Sequence, residues 1–211
     1  MSIRLSRVER TEQNRARVLA AARKVLVRRG FHAASVDEIA EAAGFSRGVV
    51  YSQFGGKVDL VLALLEARIA ERTEHYRALV AGLSGMDGLR AIAAAVDADA
   101  EDNADWLLLM FEFRVHAARH PELASRYAAL HQRTITAMAE VLAGLYERAG
   151  TDPPRPVKTL AQAMLVLGAG ISLERLADPQ VLSTVGSGGP DAFDMFAPVF
   201  EPTRRRQRRD R

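Results

Sequence analysis

One stretch of the chain carries short, hydrogen-bonding side chains with a single charge, and on a helix these would share an outward face. Its residues are Arg47, Gly48, Val49, Tyr51, Ser52 and Gln53. Groups of this kind suit close contact with base edges and phosphate oxygens. The segment therefore has the side-chain chemistry of a nucleic-acid-binding surface.

Glu112, His116 and His120 form a second group with chemical potential, because at intervals of four residues they fall along one helical face. Carboxylate and imidazole groups are zinc ligands, so Glu112 with His116 is also compatible with a metal-dependent helical enzyme. Three ligands in a row span too great a length for one ion, and at most two would share a metal. We therefore predict no metal, no cofactor and no catalysis, with the enzyme as a remote alternative.

Composition narrows the class of protein further. The 211 residues include no cysteine, which excludes disulfide frameworks, thiol nucleophiles and cysteine-ligated metals. The N-terminus lacks the apolar segment of a signal peptide, and the longest apolar run, 161–173, is interrupted by glycines and polar residues. These features predict a soluble, cytoplasmic protein without a membrane partner.

Charge is divided unevenly along the chain. Residues 1–60 hold 11 Lys and Arg against 6 Asp and Glu, residues 61–203 hold 12 against 19, and residues 204–211 hold 6 against 1. A basic head on an acidic body suits a protein that meets a polyanion at one end. The alternative is that arginine is simply abundant in this chain.

Apolar residues recur at spacings of three and four, which predicts an all-α protein of about nine helices. Helices at about 10–29, 36–43 and 46–53 form the head, and a fourth opens near Lys57. Ser35 to Glu38 has the pattern of a capping box, and Gly44 ends the second helix. Two short helices joined at Gly44 and braced by longer helices predict a helix-turn-helix unit, whose second short helix enters the major groove.

The segment from Arg17 to Leu65 resembles the DNA-binding domain of the TetR family of bacterial transcriptional regulators. The resemblance is carried by Ala21-Ala22, Gly30-Phe31, Ser35 to Ala40 and Ala43 to Lys57. It implies a homodimer with helix-turn-helix heads, residues 1–60, on palindromic double-stranded operator DNA. It also implies a helical ligand-binding and dimerisation domain, residues 61–203, followed here by a basic disordered tail, residues 204–211.

Transferred residue by residue, the resemblance assigns DNA contacts to nine positions. It implies phosphate contacts for four residues, Ser35, Ser46, Tyr51 and Lys57, and base contacts for Arg47 with guanine and Gln53 with adenine. Gly48 would allow the helix backbone to approach the DNA closely. Val49 and Ser52 replace residue types that are frequent in the family, and Val49 would favour contact with a thymine methyl. The alternatives are that Ser35 only caps its helix, that Tyr51 only packs, and that Arg47 is only solvated.

Arginines at both ends of the chain have two interpretations. Arg4, Arg7, Arg10, Arg15 and Arg17 form an arm that follows the DNA, or a disordered arm with no role in binding. The C-terminal arginines are a solvated tail, or an auxiliary phosphate-binding tail that would steepen the salt dependence.

The C-terminal region supplies candidates for a pocket and for a dimer face. Soft apolar side chains that suit an apolar or aromatic effector, with one imidazole, are Trp106, Leu109, Met110, Phe113, His116, Met138 and Met164. They are equally compatible with an ordinary core. The predicted interface residues are Gly168, Ile171, Phe193, Phe196 and Phe200, with docking of Phe193 and Phe196 inside their own subunit as the alternative.

These observations together predict a transcriptional repressor that a small molecule releases from its operator. An activator, or a regulator without a ligand, is the alternative within the same class. Compaction of DNA by the arginine-rich tails, without sequence preference, is a third possibility.

Overall fold

The computed structural model describes residues 6–102, 104–178 and 192–202. Over these ranges the chain forms nine α-helices and no β-strand, which confirms the all-α prediction. The helices are α1 (Arg7–Ala33), α2 (Val36–Ala43), α3 (Arg47–Phe54), α4 (Lys57–Leu79), α5 (Gly85–Asp102), α6 (Ala104–Ala118), α7 (Pro121–Arg148), α8 (Val157–Ala177) and α9 (Ala192–Phe196), followed by a 3₁₀ turn at Ala197–Val199. Arg4 and the predicted basic tail, residues 204–211, lie outside the described residues.

Helix α1 is longer than predicted at its start, and its helical geometry breaks at Gly30, directly after the predicted end of this helix. Ser6 caps it, because the Ser6 hydroxyl accepts the Glu9 amide at 3.2 Å and the Glu9 carboxylate accepts the Ser6 amide at 2.7 Å. Gly30 has a φ of 75° and a ψ of 167°, so the chain extends there instead of curling into the left-handed helical region. Arg7, Arg10, Arg15 and Arg17 therefore lie on a regular helix and not on a disordered arm.

The helices divide into two compact units, and the first consists of residues 1–69 and 108–127. Helix α1 packs on α2 and α2 on α3. Val18 and Leu26 of α1, Ile39 of α2 and Val50 of α3 are completely buried. Burial of each such side chain stabilises the folded state by about 1.5–3 kcal/mol. This burial stabilises α2 and α3, which are short helices that would be unstable alone.

The second unit consists of residues 70–107 and 128–211. Leu89 of α5, Leu142 of α7 and Leu160 of α8 lie in its core. Gly88 permits the close packing of α5 on α7, because a Cβ there would lie 2.1 Å from a methyl of Leu145.

Packing does not follow the boundary predicted at residue 60. The first unit includes α4 up to Ile69 and parts of α6 and α7, because Phe31 of α1 packs edge-on against Phe113 of α6 with ring centroids 5.1 Å apart. The predicted boundary between a DNA-binding domain, residues 1–60, and a ligand-binding and dimerisation domain, residues 61–203, thus stays a prediction about function.

Candidate nucleic-acid interface

Helix α2 begins with a complete capping box at Ser35, as the sequence predicts. The Ser35 hydroxyl accepts the Glu38 amide at 3.1 Å, and the Glu38 carboxylate accepts the Ser35 amide at 2.9 Å. The hydrogen bond from the Ser35 backbone lowers the pKa of Glu38. Because the hydroxyl is engaged inside the cap, the phosphate contact implied for Ser35 stays a prediction, and its capping role is confirmed.

The turn between α2 and α3 sets the direction of the second short helix. Gly44 adopts the left-handed conformation, with a φ of 71° and a ψ of 33°, and the Phe45 amide donates to the Ala40 carbonyl at 2.9 Å. This closure satisfies a carbonyl at the end of α2 and turns the chain sharply. It produces the helix-turn-helix arrangement that the sequence predicts.

Helix α3 buries two side chains and exposes the remainder. Val50 and Phe54 are buried. The residues of the predicted contact surface that are exposed are Ser46, Arg47, Gly48, Tyr51 and Ser52, and those that are half-buried are Val49 and Gln53. Ser46 occupies the N-cap position but makes no side-chain capping hydrogen bond, so its hydroxyl is available to an anion.

Arg47 and Tyr51 form one exposed group on α3. The Arg47 guanidinium lies 5.1 Å from the centre of the Tyr51 ring and 3.4 Å from its hydroxyl, and it reaches Asp37 of α2 at 3.3 Å. The hydrogen bond with Tyr51 and then the charge of Asp37 raise the pKa of Arg47. Since the Arg47–Asp37 ion pair is exposed on both sides, it stabilises little and is readily exchanged for a stronger anion.

Two polar residues at the end of α3 are less freely presented. The Ser52 hydroxyl donates to the Val49 carbonyl of its own helix at 2.9 Å. The Gln53 Oε1 atom is buried without a hydrogen-bond partner in the described part of the chain. A paired contact of Gln53 with adenine requires this side chain to turn outward, and it stays a prediction.

Lys57 holds the junction between α1 and α4. Its ammonium donates to the carbonyls of Phe31 at 2.8 Å, His32 at 3.3 Å and Ala34 at 3.0 Å, and it lies 4.7 Å from the centre of the Phe31 ring. Burial lowers the pKa of Lys57. Sequence reasoning expected a phosphate contact, and it missed this link because the acceptors are backbone atoms that carry no residue-type signal.

Helix α6 contacts the end of α1 through Glu112 and His116. The Glu112 carboxylate accepts the Phe31 amide at 2.7 Å, and the His116 ring lies 4.7 Å from that of Phe31 and 4.2 Å from that of His120. The two residues of the remote enzyme alternative therefore serve the packing of α6 on α1. Arg114 is directed to Tyr127, whose hydroxyl it contacts at 3.0 Å.

The residues predicted to line an effector pocket are divided between the two units. Leu109, Met110, Phe113 and His116 belong to the first unit, and Trp106, Met138 and Met164 to the second. Leu109, Phe113, Trp106 and Met138 are buried, and the other three are half-buried. This burial is compatible with residues that line a pocket and equally with ordinary core residues.

The residues predicted for a dimer face differ in where they lie. Phe193 and Phe200 are buried in the second unit with their rings stacked at 6.3 Å, and the Tyr146 hydroxyl donates to the Phe200 carbonyl at 2.5 Å. Burial raises the pKa of Tyr146 to about 12. Phe193 and Phe200 thus pack inside their own subunit, whereas the intramolecular alternative named Phe193 and Phe196, and the dimer face stays a prediction.

The other residues predicted for the dimer face, on α8 and α9, are more exposed than Phe193 and Phe200. Ile171 and Phe196 are half-buried, and a Cβ on Gly168 would lie 3.5 Å from Val96 of α5, so this glycine faces its own subunit. Gly170 has open space where a side chain would be. Val166 and Leu173, which the sequence analysis did not select, are exposed apolar residues on the same helix.

Two family models match the chain, one in its N-terminal part and one in its C-terminal part. The family model described as bacterial regulatory proteins, tetR family, matches residues 18–64. A second model, described as the C-terminal part of BetI-type transcriptional repressors, matches residues 85–185. The chain belongs to the TetR family of bacterial regulatory proteins. Family membership confirms the resemblance carried by residues 17–65 and makes the helix-turn-helix head that of a DNA-binding regulator.

Individual relatives agree with this assignment. The transcriptional activator FasR of Mycolicibacterium smegmatis is 37% identical over 102 residues, which are 48% of this chain and 47% of FasR. The chain thus matches about half the length of that relative. Salmonella enterica GusR superposes with a TM-score of 0.63 at 19% identity, covering 89% of this chain and 95% of GusR.

A further solved structure is the transcriptional regulator FadR of Bacillus subtilis in complex with stearoyl-CoA. It superposes with a TM-score of 0.64 at 17% identity, covering 78% of this chain and 88% of FadR. At such identities the similarity shows the fold alone. It confirms a TetR-like arrangement of an N-terminal helix-turn-helix head and a C-terminal helical domain.

Proposed function

We propose that this protein is a cytoplasmic, non-enzymatic repressor that binds a palindromic operator as a homodimer and is released by a small apolar or aromatic effector. The observation that supports DNA binding is the exposed face of α3. Arg47 and Tyr51 contact each other on this face, and the hydroxyl of the adjacent Ser46 makes no capping hydrogen bond. Val50 and Phe54 anchor the opposite face in the core.

The arrangement supports reading of the major groove by α3. Arg47 is the base-contacting candidate, because a guanidinium makes two parallel hydrogen bonds with guanine, and its exposed ion pair with Asp37 is easily released. Ser46 and Tyr51 are hydroxyl donors for the flanking phosphates. In a symmetric dimer two such helices meet half-sites about 34–36 Å apart or a little more.

Helix α8 supports the homodimer. It has the length and composition of a membrane-spanning helix, yet only 17% of its most apolar window is buried. Val166, Gly170 and Leu173 are exposed along it at intervals of four and three residues. An apolar helix face left open in one chain is stabilised by a second helix, and a second copy of α8 supplies the same self-complementary face.

The effector class is supported by the predicted lining and by one structural relative. FadR of Bacillus subtilis was solved with stearoyl-CoA, a ligand with a long apolar chain. The predicted lining residues Leu109, Met110 and Phe113 of the first unit are apolar side chains that suit a ligand of this kind. Binding of the effector would favour a separation of the two heads that does not fit the operator.

Activation of transcription is a second candidate function, and it rests on FasR, a relative described as an activator. Repression is favoured by the C-terminal match, which is to BetI-type repressors over residues 85–185. Transcription in vitro from the promoter beside the protein's own gene distinguishes the two, since added protein lowers the transcript yield of a repressed promoter and raises that of an activated one.

The DNA-binding step is tested by fluorescence anisotropy with labelled DNA from beside the protein's own gene and with a scrambled duplex. The wild-type protein is expected to prefer the native duplex by about a thousandfold or more, the range of specific regulators. The double variant Arg47→Ala, Tyr51→Ala is expected to lose this preference. The matched control is Arg155→Ala, which removes an exposed arginine in the segment before α8.

Equal affinity of the wild-type protein for both duplexes would overturn the proposed sequence-specific binding. Retention of the preference by the double variant would move the recognition surface away from Arg47 and Tyr51. Loss of the preference in the Arg155→Ala control would show that general electrostatics, and not the α3 face, determine binding.

A further inference from the structure

Two arginines of α1 reach the ends of the two short helices of the head, Arg17 at the end of α2 and Arg15 at the end of α3. Arg17 donates to the Ala43 carbonyl at 3.2 Å, and its guanidinium lies 4.7 Å from the centre of the Phe45 ring. Arg15 donates to the Gln53 carbonyl at 3.3 Å and lies 4.3 Å from the centre of the Phe54 ring. The first pair of contacts is at the end of α2 and in the turn that leads into α3, and the second is in the last turn of α3.

Both contacts use the same chemistry. A guanidinium is planar, so it can stack on an aromatic ring with its face while it donates a hydrogen bond from its edge. The two acceptors, Ala43 and Gln53, are carbonyls in the last turns of α2 and α3, where the unpaired carbonyls carry partial negative charge. A cation stabilises each of these helix ends, and the stacked ring fixes the direction of approach.

Helix α3 depends on contacts of this kind because it is only eight residues long. A helix of two turns does not hold its own orientation in water. Val50 and Phe54 fix how deeply α3 lies in the core. Apolar contact is not directional, so it restricts rotation of α3 about this contact less than hydrogen bonds do. Arg15, at the end of α3, and Arg17, at the turn from which α3 departs, oppose that rotation.

We propose that Arg15 and Arg17 are specificity-determining positioning residues, which set the orientation of α3 in the groove without contacting DNA themselves. The proposal rests on the proposed DNA-binding function. It differs from the interpretation of these arginines as an arm on the DNA, because in the structure their donors are directed to protein carbonyls. Base contacts require placement within about 0.5 Å, so a small tilt of α3 separates Arg47 from its base while phosphate contacts adjust.

The test compares Arg15→Ala, Arg17→Ala and the corresponding lysine variants by anisotropy on native and scrambled duplexes at several salt concentrations. Both alanine and lysine variants are expected to lose affinity for the native duplex by about 5- to 150-fold, the cost of one misplaced paired base contact. Binding to the scrambled duplex and the salt dependence are expected to stay unchanged. Lysine is expected to fail because its ammonium cannot stack and donate in the same fork geometry.

A direct phosphate contact gives the opposite pattern and would overturn the proposal. Each lost contact would then lower the slope of log affinity against log salt by about 0.9 on both duplexes, and lysine would restore most of the binding. The matched control is Lys24→Ala, which removes an exposed cation of the same helix and is expected to leave sequence preference unchanged.

Amide hydrogen exchange of residues 47–54 provides a readout that does not depend on DNA. Faster exchange of α3, accompanied in the Arg17 variants by faster exchange at the end of α2, is expected from loosened positioning, with circular dichroism like that of the wild type. Unchanged exchange in α3 would overturn the proposal even if affinity falls. If the wild-type protein itself shows no sequence preference, the proposed function fails, and the exchange result still decides whether these arginines hold α3.

Discussion

At the scale of single residues, Lys57 shows that a cation of the head can serve the fold. Its ammonium is held by three backbone carbonyls around the break in α1, those of Phe31, His32 and Ala34. Hydrogen bonds from a charged donor to carbonyls that would otherwise lack partners contribute about 1.5–3 kcal/mol in favourable sites. The start of α4 is thereby tied to the end of α1, and the residue type alone does not reveal this role.

His116 is expected to make stability depend on pH. Its pKa is lowered from 6.5 by burial first, and then by His120, His32 and Lys57. A lowered pKa in the folded state stabilises the protein above the unfolded pKa, and this stabilisation is lost as the pH falls through the folded pKa. Urea unfolding between pH 7.5 and 5.5 should show a smaller loss of stability for His116→Gln than for the wild type.

The control for this prediction is His75→Gln, since His75 lies on α4 outside the cluster around Phe31. Its stability curve should run parallel to that of the wild type. If the His116→Gln curve is parallel as well, His116 does not contribute to the pH dependence.

At the scale of elements, the end of α1 is where α6 meets the DNA-binding head. The break at Gly30 exposes the Phe31 amide, and the Glu112 carboxylate accepts it at 2.7 Å. An amide and a carboxylate form a hydrogen bond stronger than one between neutral groups. The position of α6 and the geometry of α1 are therefore coupled by this hydrogen bond, in addition to the ring contacts of Phe31 with Phe113 and His116.

Gly30→Ala is expected to lower the free energy of unfolding by about 1–3 kcal/mol, because φ at this position lies in the region that disfavours a side chain. The added Cβ would also lie 2.9 Å from the Glu112 carboxylate oxygen. In a Glu112→Ala background the steric part of this cost should vanish, while the backbone strain should remain. Urea unfolding of the two single variants and the double variant measures this coupling.

The matched control is Gly82→Ala, because nothing lies within 4 Å of a Cβ at that position. Its unfolding free energy should change by less than about 0.5 kcal/mol. Equal costs of Gly30→Ala with and without Glu112 would show that the two residues are not coupled.

At the scale of the whole molecule, the apolar surface of α8 is the interface that we propose for assembly. Val166 and Leu173 are 59% and 44% exposed, and Gly170 between them leaves room for another backbone to approach. A surface of this kind is costly in water and is covered in a stable protein. A dimer formed through it would present two copies of α3, as a palindromic site requires.

Val166→Glu with Leu173→Glu is expected to convert the protein into a monomer, because each variant places a charge at the centre of an apolar contact. Size-exclusion chromatography with light scattering should give the mass of two chains for the wild type and of one chain for the double variant. Lys158→Glu, an exposed change at the start of the same helix, should remain dimeric. A double variant with the mass of two chains would place the interface elsewhere.

The sequence by itself determined the features that depend on neighbours within a few residues. The helix from Val157 to Ala177 follows from apolar spacing, and the capping box at Ser35 follows from two residues three positions apart. Gly44 at the turn and the inward Val50 and Phe54 are equally local. These interactions have a fixed period or spacing in the chain, so a pattern of residue types is enough to predict them.

Only the tertiary structure decided which partners the long side chains have. Arg15 and Arg17 reach carbonyls 38 and 26 residues away, and Lys57 reaches those at the end of α1. Phe193 and Phe200 fill the core of their own subunit. Backbone acceptors are identical in every residue, and a buried phenylalanine has the same sequence pattern as an interface phenylalanine, so only the packing of distant elements distinguishes these roles.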